Sequence, residues 1–189
     1  MKPRVIFSRE EMFKMNRDAL LERGVTIRDI AEIAFNQQSR YNDNISMKVC
    51  IESVEKILSY RDIFHLVQLS IAIDKMTEEG KFEGPIQDIM QADLGMFGVD
   101  EIFGLSIAAM YGTVGQTNFG DIDVNKPGIV KKLNDEGKLG LKCHTFLDDI
   151  VGALGAAAST RVAQIVSEDE SMKNPNYEPI RFEFEDEEE

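Results

Sequence analysis

The run Asp148-Asp-Ile-Val-Gly-Ala-Leu-Gly-Ala-Ala-Ala158 sets two carboxylates at the mouth of nine small and apolar residues. An earlier stretch repeats the pattern, with Asp100-Glu101 opening Ile102-Phe-Gly-Leu-Ser-Ile-Ala-Ala-Met-Tyr111. Both runs read as helices that must bury most of their surface. Carboxylates at such a mouth are costly to bury unless something positive pairs with them. Gly104, Gly152 and Gly155 lie within these helices despite a helix cost of about 1 kcal/mol each. Gly152 with Ala156, and Gly155 with Ser159, have the small-xxx-small spacing that lets helix backbones approach closely. Close packing would bring the two acidic helix starts together.

A third acidic cluster, Asp121 with Asp123, lies between the other two. The cations nearby in sequence are Lys126, Lys131, Lys132, Lys142 and Arg161. A hard divalent ion would satisfy the three clusters better, because Mg²⁺ takes oxygen ligands and retains waters for a phosphate substrate. Acids at a helix start also have a bland role, stabilising the N-terminal dipole and its free amides. Adjacent helical residues point about 100° apart, so one member of each pair can face inward while the other caps.

Helical signals extend along the chain. Ser8 with Glu11 and Thr26 with Asp29 form capping boxes, and Gly24 closes the first helix. Ile27, Ile30, Ala31 and Ala34 form the buried stripe of the second helix. Ser46 starts a third, with Val49, Cys50, Ser53, Val54 and Ile57 on one face. Residues 60–79 are the broadest apolar helix in this part of the chain, which suggests a central position. Pro85 suits a first helical turn. Residues 112–124, with glycine at 112, 115 and 120, read as an ordered loop. A helix from about Pro127 to Asn134, a Gly-rich link and a last helix from about Thr145 to Ile165 complete the pattern. No segment alternates as a strand does. The expectation is an all-α multihelical bundle with a central apolar helix, one domain over 1–166 and an acidic, flexible tail over 167–189.

Composition narrows the function classes. Net charge is −13, of which residues 167–189 carry −8 and residues 1–166 carry −5. That balance excludes nucleic acid, whose backbone rewards Lys and Arg. It also weighs against a helix-turn-helix reading of Val25–Tyr41. Cys50 and Cys143 are too few for a disulfide framework or a zinc site. There is no apolar signal core near Met1. No stretch is read as the ~20 apolar residues a bilayer span needs, so a soluble protein without a transmembrane segment is expected. Many broad apolar faces and nine Met residues suggest a homo-oligomer.

Two lookalikes fail at the middle cluster. A calcium loop beginning at Asp121 needs Gly at its sixth position and Glu at its twelfth, where Lys126 and Lys132 stand. A phosphotransferase Asp-x-Asp follows an apolar strand, and Gly112 to Gly120 precedes this one. The chain has no Gly-x-Ser-x-Gly and no P-loop. His65, in an apolar helix, reads as a satisfied core residue. His144, four residues before Asp148, is a candidate supporting group beside catalytic acids.

Taken in order, Val-Asp100-Glu101-Ile-Phe-Gly104, Phe119-Gly-Asp-Ile-Asp123-Val-Asn-Lys126-Pro127 and Phe146-Leu-Asp148-Asp149-Ile-Val-Gly152-Ala resemble the motifs of the phosphatidylglycerophosphatase A family. The resemblance covers roughly residues 98–160 and points to a soluble branch of that family. It implies a Mg²⁺-dependent phosphatase that converts phosphatidylglycerophosphate to phosphatidylglycerol and phosphate. Carried over by position, it implies Asp100, Glu101, Asp123, Asp148 and Asp149 as metal-binding or catalytic acids, with Lys126 facing the phosphate. Either Asp149 or Asp123 could accept the proton from water.

The sequence thus predicts a phosphomonoesterase for a phosphate ester, with a phospholipid headgroup as the candidate substrate. Its expected place is the cytoplasm or, through peripheral contact, the inner membrane surface. The alternative is a non-catalytic helical oligomer that regulates or binds a partner on the same scaffold.

Overall fold

The computed structural model describes residues 6–95 and 97–173, apart from the side chain of Met172. Nine helices and no strand occur among the described residues. They are α1 (Arg9–Glu22), α2 (Ile27–Gln38), α3 (Met47–Leu58), α4 (Arg61–Glu78), α5 (Pro85–Gln91), α6 (Val99–Ala109), α7 (Gly112–Asn125), α8 (Ile129–Lys138) and α9 (Leu147–Lys173).

The local signals act where expected. Ser8 and Thr26 each accept from the backbone three residues on, while Glu11 and Asp29 return the bond. Ser46 caps α3 in the same way without the reciprocal acid. Pro85 opens α5, where the missing N–H has no helical partner to lose.

The multihelical bundle has a central apolar helix, but α9 rather than residues 60–79 holds that place. It packs against α2, α3, α4, α6, α7 and α8. Small side chains make this possible. A Cβ added at Gly155 would stand 2.7 Å from Ile33 Cγ2 of α2, and one at Gly152 would stand 3.1 Å from Ile122 Cγ2 of α7. Every residue from Phe146 to Thr160 is buried. By contrast α4 leaves Leu69 and Met76 exposed. A broad apolar face placed residues 60–79 inside, yet side-chain volume decided which helix the others could surround.

Residues 112–124 form a helix, not an ordered loop. Gly115, Phe119 and Ile122 are its buried residues, and this i, i+4, i+7 stripe fills the space between α6 and α9. Gly115 is where α7 leaves the turn after α6, with no room for a Cβ against the Ala108 carbonyl. Tertiary packing therefore overrides a glycine content that disfavours an isolated helix.

The last helix is also longer than the sequence suggests. Residues 167–173 continue α9 instead of starting a tail; the remainder of the expected tail lies outside the described residues. Over Leu147–Ser171 this helix has the length and composition of a membrane span, in contrast to the expectation that no segment does. Of its most apolar window, 67% is buried inside the bundle, as befits a core helix.

Since α6 and α7 form a tight hairpin through Met110-Tyr111, the start of α6 and the end of α7 share one end of the molecule. The start of α9 meets them there.

Candidate functional site

The N-cap position of α9 offers no side-chain acceptor, because Phe146 precedes its first residue. Asp74 of α4 supplies one from across the bundle. Its Oδ1 accepts from the Phe146 N–H at 3.1 Å and its Oδ2 from the Leu147 N–H at 3.0 Å. These amides lack helical partners, so the fully buried Asp74 stands in for an N-cap. Burial pushes its carboxyl up to about 8, against the lowering effect of the two amides and Arg23. Arg23 holds Glu78 through two nitrogens, at 2.8 and 3.1 Å, and also donates to the Cys143 carbonyl. The start of α9 is thereby fixed to α1 and α4.

Asp148 and Asp149 follow immediately and are 4% and 5% exposed. With Asp93, Asp100, Glu101, Asp123, Lys126 and Lys138 they line a cavity of ≈ 170 Å³, walled also by Leu94, Gly95, Phe97 and Asn134. All six residues singled out from the sequence meet there. Asp121, on the opposite side of α7 from Asp123, instead accepts from Gln37, Arg40 and Asn125.

Lys126 joins the clusters. Its Nζ lies 2.8 Å from Asp123 Oδ1, 3.2 Å from Asp148 Oδ2 and 3.7 Å from Asp149 Oδ1. It caps α7 in the left-handed conformation, at φ 43° and ψ 61°. Asp93, at φ 46°, is the other non-glycine residue with positive φ among those described. Both line this one cavity. Strained backbone of this kind persists where the surroundings impose it, and it clusters at functional sites.

The electrostatics are unbalanced. Six acids face the cavity against two lysines. Burial lowers the affinity of Lys126 for its proton, but Asp148, Asp123 and Asp149 outweigh burial and hold it above the ordinary lysine range. Burial, then the Asp148 charge, pushes Asp149 up to about 9; burial is also the main cause for Asp148, at about 6. Asp100 and Asp93 are raised chiefly by burial. Among the described residues, nothing donates a hydrogen bond to the Asp149 carboxylate. Asp148 Oδ1 and Asp100 Oδ1, by contrast, each accept from the next backbone N–H, at 3.0 and 2.9 Å.

An excess of buried carboxylates, one of them without a hydrogen-bond donor, fits a hard divalent cation. Among the described residues no three Asp, Glu, His or Cys side chains already stand in metal-ligand geometry. The ammonium of Lys126 takes the place between Asp123, Asp148 and Asp149 instead.

Residues 33–164 match the family model described as phosphatidylglycerophosphatase A. The chain belongs to the phosphatidylglycerophosphatase A family. The uncharacterized protein YpjQ of Bacillus subtilis is 45% identical over 157 residues, 83% of this chain and 87% of that protein. The crystal structure of the low temperature requirement C protein from Listeria monocytogenes is 44% identical, with TM-score 0.79, covering 82% of this chain and 97% of that one. The crystal structure of ypjQ from Bacillus subtilis superposes with TM-score 0.80 at 42% identity, covering 86% and 99%.

Within this phosphatidylglycerophosphatase A scaffold the sequence left several residues unremarked. Asp93, Asn134 and Lys138 line the cavity from a turn and from α8, where their local patterns show only a loop residue and a solvated face. Asp74 had a usable signal, a lone acid in the apolar run Ser70-Ile-Ala-Ile-Asp74. His144 does not reach the cavity: Arg23 lies 3.3 Å from Nδ1 and Glu136 lies 3.2 Å from Nε2. Burial and Arg23 lower its proton affinity. His65, expected in the core, is exposed beside Phe7 and Phe64. The free thiols Cys50 and Cys143 are buried.

Proposed function

We propose that this family member is a Mg²⁺-dependent phosphomonoesterase acting on a phosphate monoester of the phosphatidylglycerophosphate type. The observation that carries the proposal is Asp149, a buried residue whose carboxylate has no hydrogen-bond donor among the described residues, facing an acid-rich cavity beside Lys126. Such a cavity repels an anionic ester unless its charge is reversed. Asp100, Glu101, Asp123, Asp148 and Asp149 are the oxygen donors that would hold Mg²⁺, which when bound supplies that reversal and polarises the phosphoryl group.

The protein's own residues divide the remaining work. Lys126 exchanges a carboxylate partner for a phosphate oxygen and keeps the ester oriented. Asp149, once ionised, accepts the proton of the attacking water. Asp148 and Asp100, each fixed by a backbone N–H, keep the acid array in place. Phe97 and Leu94 wall the cavity. Asp74 holds the helix start from which both α9 acids project.

A non-catalytic helical module is the second possibility, favoured by one observation: the Lys126 ammonium already lies 2.8 to 3.7 Å from carboxylate oxygens of three acids. Phosphate release from phosphatidylglycerophosphate and from soluble monoesters, measured with and without Mg²⁺, separates the two. The expected outcome is Mg²⁺-dependent release that falls about a hundredfold or more in Asp149→Asn and also falls in Asp100→Asn, with both proteins folded. Absence of Mg²⁺ binding and of all hydrolysis in the wild type would refute the enzyme. An oligomeric state and a cytoplasmic or inner-membrane location belong to the same proposal; sedimentation and cell fractionation test them.

A further inference from the structure

The most basic stretch among the described residues borders the cavity mouth. Residues 126–142 hold five lysines and two acids, in a chain whose net charge is −13. Lys126 belongs to the site, while Lys131, Lys132, Lys138 and Lys142 are exposed. Lys131 and Lys132 pair along α8 with Asp135 and Glu136. The helix ends in Lys138-Leu-Gly-Leu-Lys142, five consecutive exposed residues in which Leu139 is 73% and Leu141 68% exposed. Lys138 and the exposed Leu94 both line the cavity, so this tip stands at its rim.

The backbone here is ordered by a recognisable helix stop. Gly140, at φ 67°, follows the C-cap. Its N–H donates to the Gly137 carbonyl at 2.9 Å, and the Leu141 N–H donates to the Glu136 carbonyl at 3.0 Å. In this Schellman arrangement the apolar residue after the glycine ordinarily folds back onto an apolar residue of the last turn. That position is Glu136 here, and Leu141 points outward. A hydrogen-bonded turn therefore presents two exposed leucines between two lysines.

We infer that the Lys138–Lys142 turn, backed by Lys131 and Lys132, is the surface through which this protein docks on an anionic membrane. The leucines enter the acyl boundary, and the lysines lie at headgroup level with their stems buried and ammonium groups in water. At physiological salt a charge more than about 8 Å from the bilayer is largely screened, so the lysines of this turn weigh more in docking than the net charge of −13. Docking here would hold the cavity rim against the lipid surface. It goes beyond the hydrolytic proposal and does not depend on it.

Co-sedimentation of the full chain with vesicles tests the inference. Phosphatidylserine mixed into phosphatidylcholine is the anionic probe, so that recognition of a phosphatidylglycerol headgroup by the cavity does not enter. The expected result is binding to the mixed vesicles, not to phosphatidylcholine alone, that weakens with salt. Lys142→Glu should weaken it by on the order of fivefold or more, and the Leu139→Ser/Leu141→Ser pair by roughly tenfold or more. Asp149→Asn should bind as the wild type does, which separates docking from the site. Thermal unfolding confirms that the variants are folded. Failure of the wild type to bind, or undiminished binding by the leucine and lysine variants, would overturn the inference. So would a leucine variant that loses self-association in sedimentation equilibrium while keeping vesicle affinity, since the face would then be a contact between copies.

Discussion

Helices α6 and α9 both begin with two consecutive acids, and the bundle treats the two pairs differently. At α6, Asp100 turns inward while Glu101 stays exposed at the cavity edge. The pair sits behind Gly98 in the left-handed conformation, and no side chain caps it. At α9 both acids are buried, the helix start is capped by Asp74 from α4, and Lys126 reaches both carboxylates. The α6 pair thus keeps half of the ordinary dipole role of acids at a helix start. The α9 pair has lost it to a desolvated, charge-coupled environment. Two similar dipeptides differ in chemistry because their surroundings differ in dielectric and in the cation supplied.

The largest effect is expected from removing that cation. Lys126→Met leaves Asp123, Asp148 and Asp149 facing one another and should cost about 3 kcal/mol in urea unfolding at neutral pH, with partial recovery in Mg²⁺. A cost below about 1 kcal/mol would mean that the α9 pair does not depend on Lys126 and resembles the α6 pair after all.

Next in size is the pH dependence without metal. The carboxyls of Asp148, Asp74 and Asp149 are raised to about 6, 8 and 9, against about 3.9 in the unfolded chain. Between those limits the native state holds more protons than the unfolded one, so stability falls as pH rises from about 4 to about 9. Mg²⁺ favours the ionised acids and should reverse the slope above neutrality. Melting temperatures at pH 5 to 9, with and without Mg²⁺, check both signs, and Asp149→Asn should flatten the metal-free slope where Asp100→Asn does so less.

A smaller change probes how the two helix starts are held together. A Cβ at Gly104 would stand 2.7 Å from Phe119 Cζ and 3.1 Å from the Asp149 carbonyl oxygen. Gly104→Ala should cost about 1–2 kcal/mol through overpacking, despite the better helix propensity of alanine. Calorimetric unfolding reads it, and a stabilised variant would show that α6 and α9 need no such close approach. The smallest effect is expected at the exposed acid. Glu101→Gln should change stability by less than about 0.5 kcal/mol and Mg²⁺-dependent phosphate release less than Asp100→Asn does. Equal losses in both would place Glu101 inside the site on the same footing as Asp100.

Much of the fold is legible residue by residue. Ser8 with Glu11 and Thr26 with Asp29 encode helix starts through bonds that span three residues, so the sequence holds the whole interaction. The acid motifs were readable in order, and all of them reached one cavity. Helix α7 was not readable, because Gly115 and Gly120 disfavour an isolated helix while Phe119 and Ile122 pay off only between α6 and α9. Asp93 and Lys138 were not readable either, since nothing local distinguishes a turn acid or a surface lysine that happens to face a cavity.

The sequence by itself determined where helices begin, that two apolar helices open on acid pairs, and which family order those pairs follow. Caps, stripes and motif spacing are short-range, and each can be read within a few residues. Tertiary structure alone decided that α9 is the central helix and that Lys126 stands among three acids. It also decided which carboxyls hold their protons. Those outcomes depend on burial and on distances between groups far apart in the chain, such as Ile33 with Gly155 and Asp74 with Asp148. Desolvation and coulombic coupling are properties of the assembled bundle, and no window of sequence contains them.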